Sequence, residues 1–433
     1  MADITYDQII ITGIHYSSLL NLEITSRLNT HAEAVITFEV TEEESRAIEA
    51  GVSDESYVVV SADNPDGYKT LFVGIKYSYS CTNQAGYRVG TLILKSTSYL
   101  LDKEKKSRSF QRTTVFKSAL IEEVVAGRAI INYNITDSPT FGLYIQKNET
   151  DWNFLVRIAE AGIIPNYTTE KPIIDIGRPL NDNVKGIGGL MVNSQVPSYI
   201  TFTSSMFHNG VLETTSVSQG EEAFQKEKIP NEELAGRMLS GIVQNVEKEK
   251  VQVFFDEIDE EYDSDGDTWF EYAAAYSGPG GTYGSGFYFM PEVGDRVRVF
   301  FPSGKESEGF AFASEMGYTL DDPTKISWRA PGGQELLFTE NGIRITGKQG
   351  SIYIDMQEND SAEFGIEMYC NTNIQFSTHK GGTVQSDLPE IYVYGKKGVN
   401  MTADNQILFE TPETTLEIDR DKIILNANQV YIN

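Results

Sequence analysis

The sequence predicts a mainly β fold: barrel-like parts with minor helices, then a small closed barrel, then a C-terminal coil of short strands. Three observations predict it. The 433 residues carry 23 Tyr, 22 Phe and 37 Gly, a balance that favours pleated, aromatic-lined faces joined by turns. Short apolar runs alternate with Asn, Asp and Gly clusters along most of the chain. Helical periodicity is confined to a few short stretches before residue 163.

Taken in order, Gln8–Thr12, Ala34–Val40, Tyr57–Val60, Thr70–Ile75 and Gly90–Lys95 read as strands of a barrel or sandwich. Thr41 followed by Glu42, Glu43 and Glu44 is a helix start, because a hydroxyl caps free N–H groups and acidic side chains suit the positive end. Between about 103 and 162 the period lengthens, and Asn148–Gly162 spaces Trp152, Leu155, Val156 and Ala159 on one face before stopping at a glycine. This is a short amphipathic helix packed on a neighbouring sheet. Residues 1–230 are therefore expected to form two barrel-like parts with helices around 103–162, and the polar stretch Ser218–Ala235 a connector.

Residues 231–317 supply the alternating runs Gly236–Val243, Lys250–Phe255 and Gly294–Phe301, as in a small closed barrel. From 318 to 433 short strands recur: Leu336–Phe338, Gly342–Ile345, Ser351–Met356, Gly365–Cys370, Ile374–Phe376, Ile391–Tyr394, Gln406–Phe409, Thr415–Ile418, Lys422–Leu425 and Gln429–Ile432. That repeat reads as a β-solenoid whose turns cover one another. So thin a coil cannot hide its apolar stripe alone, and a homotrimer in which each chain supplies one wall is expected.

Charge and composition narrow the function. Thirty-five basic against 63 acidic side chains leave −28, which repels a phosphate backbone, so nucleic acid is not expected as a partner. The first residues lack the basic flank and apolar core of a signal peptide, and no apolar run approaches a membrane span, which predicts a soluble cytoplasmic product. Cys81 and Cys370 are far apart and read as small buried hydrophobes. His15, His31, His208 and His379 are scattered singly, so no local metal or nucleophile–base motif is drawn; no cofactor and no catalytic residue are expected.

Two stretches resemble a known family. Glu149, Asp151, Trp152, Phe154, Arg157 and Gly162 resemble the segment of VgrG-type and phage tail hub proteins in which an acidic turn leads into an aromatic, an arginine and a closing glycine. Gly286–Phe301, with Pro291, Gly294, Asp295 and Val297, is similar to the oligosaccharide-binding-fold (OB-fold) neck barrel of the same spikes. The resemblance implies a structural homotrimer at the baseplate centre of a contractile injection machine: a phage tail, a phage-tail-like bacteriocin or a type VI secretion particle. It implies a hub on the tail tube, an OB-fold neck and an intertwined β-helix needle that pierces the target-cell envelope. Partners would be tail tube and baseplate proteins, with assembly in a bacterial cytoplasm. The chain departs from the pattern in showing no lysozyme-like insert, no effector extension and no Val-Gly repeats, which removes cell-wall digestion from what the resemblance implies. It stops soon after Val430 and Tyr431 without a His-x-His pair, so a separate PAAR-like tip protein is expected on Leu425, Val430, Tyr431, Ile432 and Asn433.

Three rival readings stand beside this one. A β-solenoid polysaccharide-degrading enzyme would use paired carboxylates, Asp355 with Glu367 or Glu417 with Asp419, although alternate strand carboxylates are ordinarily a solvated face. Eight carboxylates in the 12 residues Asp256–Asp267 could gather calcium, but an EF-hand register from Glu261 puts Tyr272 where a bidentate glutamate belongs. The plainer alternative is an exposed acidic loop. The barrel could bind nucleic acid or sugar, yet the loop Tyr276–Gly286 has tyrosines and no flanking cation.

Overall fold

The structure, a computed structural model, describes residues 4–53, 55–64, 67–84, 86–140, 142–177, 199–278, 285–315, 317–348, 352–358, 364–370, 401–403, 406–410 and 414–429. Two compact units, Met1–Gly317 and Tyr318–Asn433, divide the chain.

In the first unit, β1 (Ile9–Thr12), β2 (Ser18–Arg27) and β3 (Glu33–Glu39) precede α1 (Glu42–Ala50), then β4 (Tyr57–Asn64), β5 (Gly67–Gln84) and β6 (Tyr87–Ser96). Next come β7 (Lys105–Phe110), α2 (Lys117–Val125), β8 (Ile130–Asn134), β9 (Tyr144–Thr150), α3 (Asp151–Ile158), β10 (Ile163–Pro165) and β11 (Ile173–Gly177). Finally β12 (Tyr199–His208) and β13 (Val211–Gln219) return to the first sheet, whose order is β1-β4-β5-β6-β3-β2-β12-β13. Its edges are stitched where Leu212 N–H donates to the Ile4 carbonyl (2.8 Å) and Tyr6 stacks on Phe207, nearly closing a barrel. Alternation drives the closure: Ala34, Ile36 and Phe38 of β3 point inward with Leu22, Ile24, Val58, Val60, Leu92 and Leu94.

The predicted strands are present, and β4, β5 and β6 run beyond their apolar stretches into polar residues. The α1 start is as expected: Thr41 Oγ1 accepts from Glu44 N–H, and Glu44 returns a carboxylate to Thr41 N–H at 2.7 Å. One expectation is corrected at Cys81. It lies exposed near the end of β5, where the strand has run beyond the apolar core. The side chain of Cys370 is outside the described residues.

A second core gathers α2, α3 and the sheet β10-β11-β8 around Leu120, Val124, Phe154, Leu155, Ile158 and Ile174. The third is a barrel of β14 (Arg237–Glu247), β15 (Lys250–Phe254), β16 (Phe270–Glu271), β17 (Ser277–Gly278), β18 (Ser285–Gly286), β19 (Arg296–Phe301) and β20 (Phe310–Ser314). Its main sheet runs β16-β15-β14-β19-β20, and Tyr272 bridges Ala311 to close it. Leu143 and Ile145 reach into this core beside Val243, Val253, Phe255, Val299 and Phe301. The stretch 218–235 is not a loose connector. Phe224, Asn231 and Leu234 are buried, and Asn231 donates its backbone N–H to Gly304 (2.7 Å) and its side-chain amide to Ile145 (2.9 Å).

The second unit holds β21 (Ile326–Arg329), β22 (Glu335–Thr339), β23 (Gly342–Thr346), β24 (Ile352–Glu358) and β25 (Phe364–Cys370) in one sheet, and β26 (Gln406–Glu410), β27 (Thr415–Asp419) and β28 (Ile423–Asn426) in another. Each strand pairs antiparallel with its sequence neighbour. The described strands are thus meanders, not the stacked turns of a self-covering solenoid, because each runs antiparallel to its sequence neighbour within its sheet. Strands expected at Ile374–Phe376 and Ile391–Tyr394, and all of the one expected at Gln429–Ile432 but Gln429, lie outside the described residues.

Candidate functional site

The residues of the first motif converge at the β9–α3 turn. Thr150 caps α3 by accepting from Asn153 N–H, and the helix ends at Ile158, ahead of Glu160, whose φ is +54°. Gly162 is therefore not the helix stop. A side chain there would meet the Phe224 ring at 3.0 Å, so glycine lets the connector pack close. Asp151 is almost wholly buried and binds Lys106 (2.9 Å), Arg108 (2.8 Å), Arg128 and Gln146. Burial pushes its carboxyl up, but those bonds prevail and hold it below the usual carboxylate range.

Arg157 fans out in a second knot. It donates to Glu306 (2.9 Å), to the Ile145 carbonyl (2.7 Å) and to Glu149, while Lys228 pairs with Glu306 at 2.9 Å. Burial lifts the Glu149 carboxyl against the pull of Arg157. Trp152 and Phe154 fill the second core. Sequence reasoning missed Glu306, Lys228, Lys106, Arg108 and Arg128. No local spacing marks a partner that, like Glu306, lies 149 residues away.

The second motif builds a turn. Gly294 sits at φ +97°, Asp295 accepts from Glu292 N–H (2.8 Å), and the turn hooks β14 through Gly294 N–H to Val243 O and Val243 N–H to Asp295 O, both 2.8 Å. Pro291 and Val297 are buried, the latter entering β19.

The acidic loop 256–267 is a bracket. Asp259 accepts from Ser109 N and Oγ (both 2.6 Å), Asp263 from Arg112, Asp267 from Thr113 N–H (2.6 Å), Asp256 from Arg296 and Glu257 from Lys147. Burial pushes the Asp259 carboxyl up, whereas the Arg112 guanidinium holds Asp263 down. The loop ties the barrel to β7 and the segment after it, which is more than the exposed loop expected from sequence, and five of its eight carboxylates are taken up by protein donors.

His31 joins distant residues that no local motif showed: its ring bonds Ser98 Oγ (2.8 Å) and Asp102 (3.3 Å) and lies on Trp152. Although this has the composition of a hydrolytic triad, Ser98 is fully buried and bonded also to Ser96, leaving no approach for a substrate. The register sets Asp355 opposite Glu367, but Arg344 faces Asp355 at 3.8 Å and Glu367 bonds the Tyr353 hydroxyl. Glu417 bonds Gln406, and the Asp419 side chain is outside the described residues. His15 and His208 are unburied, and His379 is not described.

What remains open is apolar surface. A groove of about 440 Å³ on the barrel is lined by Tyr272, Ala273, Ala274, Ala275, Phe287, Phe289, Phe310 and Phe312. In the second unit, β21–β25 place Trp328, Leu336, Phe338, Ile343, Ile345, Ile354, Met356, Ile366 and Met368 in cross-strand register on one face. The opposite face carries Glu335, Arg344, Asp355, Glu367 and Tyr369. β26–β28 repeat the division with Ile407, Phe409, Leu416, Ile418, Ile423 and Leu425 on one face. No described residue of this unit is buried. Leu425 is exposed; Val430, Tyr431, Ile432 and Asn433 lie outside the described residues.

The family described as "Type VI secretion system/phage-baseplate injector OB domain" matches residues 239–314, which is the barrel. Among solved structures, a half-lidded Francisella PdpA–VgrG complex aligns at 8% identity over 85% of this chain and 88% of that one, with a TM-score of 0.51. The lidded form of that complex aligns at 8% identity over 83% and 80%, also at 0.51. An E. coli type VI secretion component, described as similar to T4 bacteriophage tail proteins gp27 and gp5, covers 71% of this chain and 99% of its own at 13% identity and a TM-score of 0.46. No curated protein matches the sequence. At such identities the likeness to the VgrG complexes is one of fold.

Proposed function

We propose that this protein is a structural hub-and-spike component of a contractile injection machine, assembled from three copies of itself. The carrying observation is the second unit: two amphipathic sheets, each with an apolar face that no described residue buries. A face on which Ile345, Ile352 and Ile366 are 45, 55 and 67% exposed is not stable in water as it stands. Three such sheets facing one axis close a prism, a stiff rod whose strength is backbone hydrogen bonding around a dry interior. The number three is what the resemblance to VgrG-type spikes implies, and the match of residues 239–314 to the injector OB domain supports the setting.

In this reading residues 1–230 are the hub on the tail tube, the barrel is the neck, and 318–433 the envelope-piercing needle. A PAAR-like cone seats on Leu425 and the residues after it. The particle assembles in a bacterial cytoplasm and acts mechanically, without a catalytic site or cofactor. Three copies multiply the −28 of one chain, which keeps the particles apart in solution. The test is the mass by light scattering: three times 48.3 kDa is expected, and Ile345→Asp, at the centre of the apolar face, shifts it toward one. A lone 48.3 kDa species, or a dimer, for the native chain overturns the proposal.

A further inference from the structure

We propose that Lys106, Arg108 and Arg128, gathered where β7 passes the C-terminal end of α2, form a receptor for an oxyanion, a carboxylate or a phosphate, that comes from outside the chain. All three belong to one chain, so the site stands whether or not three copies assemble. The first observation is a surplus of positive charge. Asp151 is 1% exposed and accepts from Lys106 at 2.9 Å, from Arg108 at 2.8 Å and from Arg128. Even with Glu123 of α2, a second acid that pulls on Arg108, three cations face two carboxylates. Such a surplus is out of character in a chain of −28. Burial pushes the Arg108 guanidinium below its usual range, and the adjacent Arg128 pushes the same way against the pull of Asp151. An incoming anion relieves that crowding of like charges.

The second observation is that the two guanidinium groups are fixed before anything binds. Arg108 donates Nε to Gln146 (2.8 Å) and Nη2 to the Val124 carbonyl (3.2 Å). Arg128 donates Nε to the Val125 carbonyl and Nη2 to that of Val124, both at 3.2 Å. These carbonyls end α2, where the helix itself supplies no donors. Bracing the helix and Asp151 therefore occupies Nε and Nη2 only. The Nη1 group of each arginine has no hydrogen-bond partner among the described residues, and Lys106, Arg108 and Arg128 keep 28, 26 and 38% of their side chains open. Free N–H donors on arms that are already locked suit an oxyanion, because little side-chain freedom is lost when it binds. A nucleic-acid backbone is repelled by the rest of the chain, so the class is a lone oxyanion: a carboxylate on a partner's acidic segment, or free phosphate.

The test is calorimetric titration of the native full-length protein at low salt, once with inorganic phosphate and once with a short capped peptide of aspartate and glutamate. Binding of at least one probe is expected, weakened about tenfold or more in Arg128→Gln and in Lys106→Gln and falling as chloride is added. A response to the peptide alone assigns the site to a partner segment, and a response to phosphate alone assigns it to the free ion. Circular dichroism of each variant checks its fold in the same sample. If Arg128→Gln unfolds, Lys106→Gln decides, since it removes one bond to Asp151 and none to α2. Traces flat for both probes up to millimolar concentration, or binding unaltered in the folded variants, overturn the proposal: the three cations then serve Asp151 and the helix end alone.

Discussion

Arg157 is the residue on which most of the first unit turns. One guanidinium reaches Glu149 in the same turn, the Ile145 carbonyl on β9 and Glu306 in the barrel, and Glu306 is held from its other side by Lys228 of the connector. Buried ion pairs add little net stability over apolar packing, yet removing one partner strands the others in a poorly solvating interior. Arg157→Met is therefore expected to cost about 3–5 kcal/mol in urea unfolding, because it leaves Glu149 and Glu306 without their shared cation. Adding Glu149→Leu and Glu306→Leu should recover much of that loss. If the triple change is as damaging as the single, the residue acts through packing on Phe154 and not through charge.

At the scale of elements, the loop 256–267 shows how a sequence feature changes meaning on folding. Eight carboxylates within 12 residues look like a cation site or a solvated tip, but Asp259 takes both the N–H and the hydroxyl of Ser109. Asp259→Ala leaves a backbone donor of β7 unmatched and is expected to destabilise the protein by about 1–3 kcal/mol in denaturant titrations. A change within a few tenths would mean that water replaces the carboxylate without loss. The strands, α1 and α3 were legible because their signals are local: period two, Thr41 with Glu44, and the stripe through Trp152 and Leu155. The Arg157 knot and the His31 contacts were not, since their partners are far away in sequence and only the closed sheets bring them together. β12 and β13 escaped because serine and threonine, among them the buried Thr203 and Ser205, stand at inward positions where apolar residues would have marked the alternation. The described strands do not carry the solenoid reading: short strands with polar turns recur equally in a coil and in a meander, and only pairing tells them apart.

For the whole molecule, the contrast between the units sets its thermodynamics. The first has three cores of its own, rich in fully buried Phe38, Phe72, Phe154, Phe255 and Phe301, and contains what a chain needs to fold alone. The second has sheets without a buried residue among those described, so its folding free energy has to come from association. Calorimetry is then expected to show two transitions. One, from the first unit, stays at the same temperature when the protein is diluted tenfold. The other falls on dilution, because unfolding a shared rod also separates its chains and mass action favours separation at low concentration. Ile345→Asp should lower the second transition and leave the first in place, since Ile345 belongs to none of the first unit's three cores. Two transitions that both ignore concentration would mean that the apolar faces are covered within one chain, by residues 371–400 or others outside the described set. The needle would then be a property of a single polypeptide, with the rod's stiffness arising from its own wrapping and not from three walls closing on one another.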